Sequence, residues 1–170
     1  MDLLIKSFRE INKKYPNTRL KIIGYGDMEK ILKNLVKKSE VERFVEFLPF
    51  QNVEKIIKEI DKSNLVIVPS IDTGYEFEAG PLTIIESMAR KKICLVSDSV
   101  GFISYLDKSN ALIFKSGNQN SLTKGIETYL NLDKKTYMDM LSNAYKLSEE
   151  FRFEKIATKH KNFLFSSRGY

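Results

Sequence analysis

Five short apolar runs are strung along this chain, and each is separated from the next by a stretch of helical spacing or a turn. They are Arg19–Ile23, Arg43–Leu48, Leu65–Val68, Ile93–Val96 and Ala111–Phe114. Runs this short suit strands, and the unalternating LVIV of residues 65–68 suits a strand covered on both faces. Between the first four runs lie segments long enough for a crossover helix. Strands joined in this way run parallel, so the pattern implies an α/β fold with a doubly wound sheet. In such sheets ligands gather at the carboxyl ends of the strands.

The helical segments follow the same logic. Apolar residues at 3, 4, 8 and 11 predict a helix over Leu3–Tyr15, stopped by Pro16-Asn17. Gly24-Tyr25-Gly26-Asp27 closes the first strand and leads into a helix with Ile31, Leu32, Leu35 and Val36 on one side and Asp27 as its N-cap. Pro49-Phe50-Gln51-Asn52 leads into another, with Ile56, Ile57 and Ile60 inward. A short helical turn is predicted at Phe102–Leu106, before the last strand. Beyond Gly117 the chain reads as helical to Phe165, with Tyr129 and Tyr137 in stripes better suited to a core than to a cofactor.

The chemistry concentrates in residues 69–89, PSIDTGYEFEAGPLTIIESMA. An apolar run ends at Pro69-Ser70, an acidic loop follows, and Gly80-Pro81 opens an amphipathic segment. Pro81 suits a first helical position, since its missing N–H would find no partner there. The N–H groups of Leu82 and Thr83 are then free to face an anion such as a phosphate. Glu86 follows on a mostly apolar face with Leu82, Ile85, Met88 and Ala89, where a carboxylate needs hydrogen-bond donors such as ribose hydroxyls. Glu78 lies on the other side of the phosphate position, where a sugar could sit.

Glu78 and Glu86 enclose seven residues, and EAGPLTIIESMA resembles the E-x7-E signature of the group-1, glycogen-synthase-like retaining glycosyltransferases. The likeness extends to NLVIVPS (64–70), KICLVSDSVG (92–101), NALIF (110–114) and FRFEK (151–155). It departs at Ala79 and Pro81, which replace two glycines, at Val100, which replaces another, and at Ser104, which replaces a frequent Glu.

This resemblance implies the Rossmann-like C-terminal half of a GT-B fold, with residues 1–170 as a single nucleotide-sugar-binding domain. Glu78 becomes the catalytic candidate, orienting the sugar near its anomeric carbon. Gly80, Pro81, Leu82, Thr83, Glu86, Gly24, Phe50 and Gln51 become nucleotide-sugar-binding candidates, with Phe50 and Gln51 at the base. No metal and no cofactor are implied, the diphosphate sugar being the donor substrate. In the family an Arg and a Lys-Gly that clamp the diphosphate precede a helix like DLLIKSF (2–8). The clamp, the first strand and the acceptor domain are therefore expected to be absent, leaving a gap in the sheet and a fragment that transfers no sugar alone. A glycan or lipid acceptor would come through the N-terminal domain, and a broken sheet would favour pairing with another chain. The competing readings are a non-catalytic nucleotide-binding or interaction module and, less well matched, a sugar epimerase.

Composition narrows the setting. The 28 Lys and Arg against 22 Asp and Glu give a net charge of +6. The lysines are spread along helices, as on solvated faces, with anionic lipid at the inner face of a membrane the next reading. No recognisable module supports nucleic-acid binding. The lone Cys94 lies in an apolar run and fits a reducing, cytoplasmic compartment. His160, the only histidine, sits among Lys159 and Lys161 and reads as a surface residue.

Overall fold

A computed structural model of the chain describes residues 1–71, 80 and 82–166. Five strands are joined by helices in the order α1 (Asp2–Lys14), β1 (Leu20–Ile23), α2 (Glu29–Lys38), β2 (Val45–Leu48), α3 (Val53–Lys62), β3 (Leu65–Val68), α4 (Leu82–Ala89), β4 (Ile93–Ser97) and β5 (Leu112–Phe114). Three helices complete the chain: α5 (Gln119–Leu130), α6 (Lys134–Glu149) and α7 (Phe153–Ser166). Among the described residues every strand pairing is parallel, as crossover helices require from β1 to β4, and β5 joins in the same sense after a short non-α connection.

β4 shows how the layers form. Its side chains alternate between two faces. Leu95 enters a core with Leu4, Ile5, Phe8 and Ile11 of α1 and Leu122 and Ile126 of α5. Cys94 and Val96 enter a second core with Ile84 and Met88 of α4 and Ala144 of α6. All five residues of β4 are buried, which explains why its sequence shows no polar alternation. Helices α1 and α5 pack together on one face and α4 and α6 on the other. This is the doubly wound arrangement that the alternating elements imply.

Two hydrogen-bonded pieces make up the sheet. β1 pairs with β2 from Leu20↔Val45 to Ile23↔Leu48. β3, β4 and β5 form the other piece, with Leu65↔Ile93 and Leu95↔Leu112 setting its register. Among the described residues no ladder joins β1 to β3. Leu20 and Ile22 nevertheless pack on the same core that Leu65 and Ile67 border. Leu65, Val66 and Ile67 are only half-buried, less covered than their apolar character implies.

Local details correct several expectations. Asp27 does not cap α2: the turn Gly26 O to Glu29 N (3.0 Å) delays the helix, and Met28 takes the cap position without a side-chain bond. Ile31 is 57% exposed, leaving Leu32 and Val36 as the buried line. Residues Glu42–Phe44 form a single 3-10 turn before β2. The expected turn after β4 is present as a 3-10 segment, Gly101–Tyr105.

Candidate functional site

Two turns at the carboxyl ends of β1 and β2 are held side by side. The Gly24 N–H donates to the Leu48 carbonyl at 3.1 Å, extending the β1–β2 ladder by one bond. Gly24 has φ +136°, a conformation that side-chain-bearing residues rarely adopt. The chain leaves it with Tyr25 80% exposed, beside Phe50, which is 70% exposed. Their ring centroids are 6.0 Å apart at an interplanar angle of 82°, an edge-to-face contact. Two residues after Phe50, the Asn52 side-chain oxygen accepts from the Lys55 N–H at 3.1 Å and caps α3, so Gln51 is the half-buried link between strand and cap.

The start of α4 carries the remaining sequence-selected residues. Gly80 is exposed with open space around its Cβ position, and Leu82 and Thr83 lie exposed in the first turn. The first-turn N–H groups of a helix have no carbonyl of the same helix to bond. Glu78 and Pro81 lie outside the described residues, as does Ala79.

Glu86 departs from its expected setting. The residues of α4 that face inward are Ile84, Ser87 and Met88, while Leu82, Glu86 and Ala89 lie on the exposed side. No desolvated carboxylate is created. Glu86 instead borders a hollow of about 350 Å³ with Ile85, Tyr145, Phe151 and Arg152, against α6. A larger open hollow of about 700 Å³ lies along α2 and β2, by Lys33 and Phe47, and none of the sequence-selected site residues lines it. Gly24 and Phe50 are thus brought together, whereas no contact joins either of them to Glu86 among the described residues.

At the carboxyl ends of β3 and β4 is a hydroxyl cluster that no sequence pattern marks. Ser99 Oγ donates to the Ser70 carbonyl at 3.0 Å and lies 2.9 Å from Ser97 Oγ, and Ser97 is fully buried. These contacts tie the end of β3 to the end of β4. The Ser99–Ser70 partners are 29 residues apart, so no local pattern could reveal them. Tyr25 lies between two glycines whose local signal concerns the backbone turn and says nothing of the ring between them.

Among the described residues the perturbed acids lie elsewhere and reflect structural pairing. Lys21 and Lys62 hold Glu59 below the ordinary carboxylate range, and the paired Arg90 guanidinium lowers Asp61. Burial pushes the Cys94 thiol up to about 12, which makes it a core residue and no nucleophile. His160 is exposed on α7. Among the described residues no group of three or more His, Cys, Asp or Glu side chains could hold a metal ion, and no helix is long and apolar enough to cross a membrane.

The family model for glycosyl transferases group 1 matches residues 1–147, through both turns, α4 and β5. The chain belongs to the group 1 glycosyltransferases. An uncharacterised glycosyltransferase of Haemophilus influenzae is 32% identical over 165 residues, covering 96% of this chain and 44% of that protein. Among solved structures, the Anabaena protein Alr3699/HepE, crystallised with UDP, superposes with a TM-score of 0.79 at 19% identity. That match covers 97% of this chain and 44% of the Anabaena chain. The crystallised C-terminal domain of LpcC, a group 1 family protein of Francisella tularensis, gives a TM-score of 0.76 at 18% identity over 89% of this chain and 79% of its own. These likenesses show that this group 1 chain has the fold of the family's C-terminal, Rossmann-like domain. It spans less than half the length of the full-length relatives it matches.

Proposed function

We propose that this chain is the nucleotide-sugar-binding half of a retaining glycosyltransferase that moves a hexose to a glycan or lipid-linked acceptor. The observation that carries the reading is the common placement of three features at the carboxyl ends of parallel strands. These are the Gly24 turn after β1, the Phe50 turn after β2 and the first turn of α4, the helix that follows β3, the position where α/β sheets of this kind take their ligands. Membership of the group 1 family supplies the reaction class.

In this reading the base rests by Phe50 and Gln51, and Gly24 allows close approach of the backbone. The diphosphate lies at Gly80 and Pro81, facing the first-turn N–H groups of Leu82 and Thr83. Those donors stabilise the negative charge that builds on the leaving diphosphate as the sugar departs, with no cofactor required from the chain. Glu86, exposed one turn into α4, accepts hydrogen bonds from the ribose, and Glu78 orients the sugar near its anomeric carbon. The basic clamp and the acceptor site belong to polypeptide outside these 170 residues, so the chain alone transfers no sugar. The reading sets the enzyme in the cytoplasm at the inner face of a membrane, where a lipid-linked acceptor would be met.

Titration calorimetry with UDP and GDP tests the assignment. The expected result is binding of at least one nucleotide, weakened about 10- to 150-fold by Glu86→Ala, which removes charge-assisted hydrogen bonds of roughly 1.5–3 kcal/mol. No detectable heat with either nucleotide favours a non-catalytic interaction module. Turnover of UDP-glucose into a glycosylated acceptor by the chain alone overturns the claim that it is only the donor half.

A further inference from the structure

Tyr25 is the most exposed aromatic ring beside the candidate base position, and nothing in the proposed function yet employs it. A ring of this size carries of order 150 Å² or more of surface, and leaving it in water forgoes the burial that usually justifies an aromatic residue. Exposure here is built in. The φ of +136° at Gly24 turns the chain outward, and the Gly24–Leu48 bond fixes the turn beside that of Phe50.

The geometry of the pair indicates what it would take. In an edge-to-face contact the ring that presents its edge keeps both of its faces clear of its partner, and the Tyr25–Phe50 angle of 82° is of this kind. A flat, π-faced group can stack on such a ring while the second ring closes one side. A lipid chain or an extended peptide would prefer a continuous groove, whereas two isolated rings at neighbouring strand ends match one planar heterocycle. We infer that Tyr25 is a base-contacting residue of the donor site, forming with Phe50 a two-ring corner that holds the nucleobase and favours some bases over others. The inference rests on the nucleotide-binding reading above and adds to it a specificity-determining residue.

The experiment is calorimetry of the 170-residue chain and its Tyr25→Ala, Tyr25→Phe and Phe50→Ala variants with UDP, GDP and ADP, with thermal melting of each variant. Nuclear Overhauser contacts between bound UDP base protons and the Tyr25 ring are measured on the unsubstituted chain. Stacking of a base on an aromatic ring supports about a tenfold loss of affinity in Tyr25→Ala and in Phe50→Ala. Tyr25→Phe should stay within about twofold, and the order of preference among the three nucleotides should change in Tyr25→Ala. Base-to-Tyr25 Overhauser contacts should be present. Binding of a nucleotide that Tyr25→Ala leaves unchanged, with no such contacts, overturns the inference and leaves the nucleotide-binding reading standing. Absence of binding by the unsubstituted chain to all three nucleotides overturns both. Should Tyr25→Ala melt markedly lower, the Overhauser contacts decide alone, since they require no substitution.

Discussion

Gly125 sits in the middle of α5, where a glycine costs a helix about 1 kcal/mol relative to alanine. On propensity alone, Gly125→Ala should stabilise the protein by that amount. The structure predicts the reverse. A Cβ built on Gly125 falls 2.7 Å from Leu95 Cδ1 and 3.1 Å from Cδ2, against the 3.5–4.0 Å of a good carbon contact. Leu95 has no room to withdraw: it is fully buried on the central strand, enclosed by α1 and α5. Overpacking of this kind costs typically 1–3 kcal/mol, which offsets the propensity gain and leaves a net loss of up to about 2 kcal/mol. For a chain of this size that lowers the melting temperature by up to roughly 8 °C. Leu95→Ala alone should cost about 2–5 kcal/mol by leaving a cavity. In the Leu95→Ala background, Gly125→Ala should become neutral or stabilising, because the new methyl group enters vacated space. Chemical denaturation of the four proteins of this double-mutant cycle measures the coupling. Strict additivity, or a Gly125→Ala variant more stable than the parent, refutes the argument that α5 needs a glycine to approach the sheet.

Other expectations follow from single contacts. Glu40 (φ 58°) and Lys91 (φ 56°) close α2 and α4 in the left-handed conformation, with Val41 N–H reaching Val36 O and Lys92 N–H reaching Ser87 O, so glycine at either position should add about 1 kcal/mol in denaturant unfolding. Glu59, Asp61 and Glu150 are held low by paired cations, and Asp107 and Asp133 by hydrogen bonds from Ser109 and Thr136. Their stabilisation is present above the unfolded carboxylate value of about 4 and is lost as pH falls through the lower folded values. A melting series from pH 6 to pH 2 should therefore decline most steeply below pH 4, and 1 M salt should reduce the part that comes from the ion pairs. Cys94, with its thiol pushed up to about 12 by burial, should resist a thiol reagent at pH 8 until the chain is unfolded. Rapid labelling of the native protein would place Cys94 outside the core.

The fold was readable because period and composition agree along most of the chain. The five apolar runs and the helical stripes of α1, α3, α5 and α6 each select one secondary structure, and parallel connection follows from the helices between them. Errors arose where a pattern admits two answers. In α4, apolar residues at 82, 84, 85, 88 and 89 lie on both sides of the helix, so spacing cannot choose which side is buried. The structure buries 84, 87 and 88, which leaves Glu86 open. Ile31 fits the stripe of α2 by spacing, yet α2 covers only a two-stranded piece of sheet, and its outer apolar residue has nothing to meet. Asp27 has the chemistry of a cap, but one further turn moved the helix start beyond its reach. At the candidate site the sequence exposed Gly24, Phe50 and the α4 entry through local signals. The Ser99–Ser70 tie and the Tyr25–Phe50 corner depend on strands meeting in space, which no window along the chain can record.

Backbone amide shift mapping during titration with UDP is the decisive observation for the nucleotide-binding face. Saturable shifts should cluster at Gly24, Tyr25, Phe50, Gln51, Gly80, Leu82, Thr83 and Glu86, all lying at the strand ends or in the first turns of α4. Saturable shifts confined to the α2–β2 hollow around Lys33 and Phe47, or no saturable shifts at all, would place the nucleotide elsewhere and remove the basis for the donor-site reading.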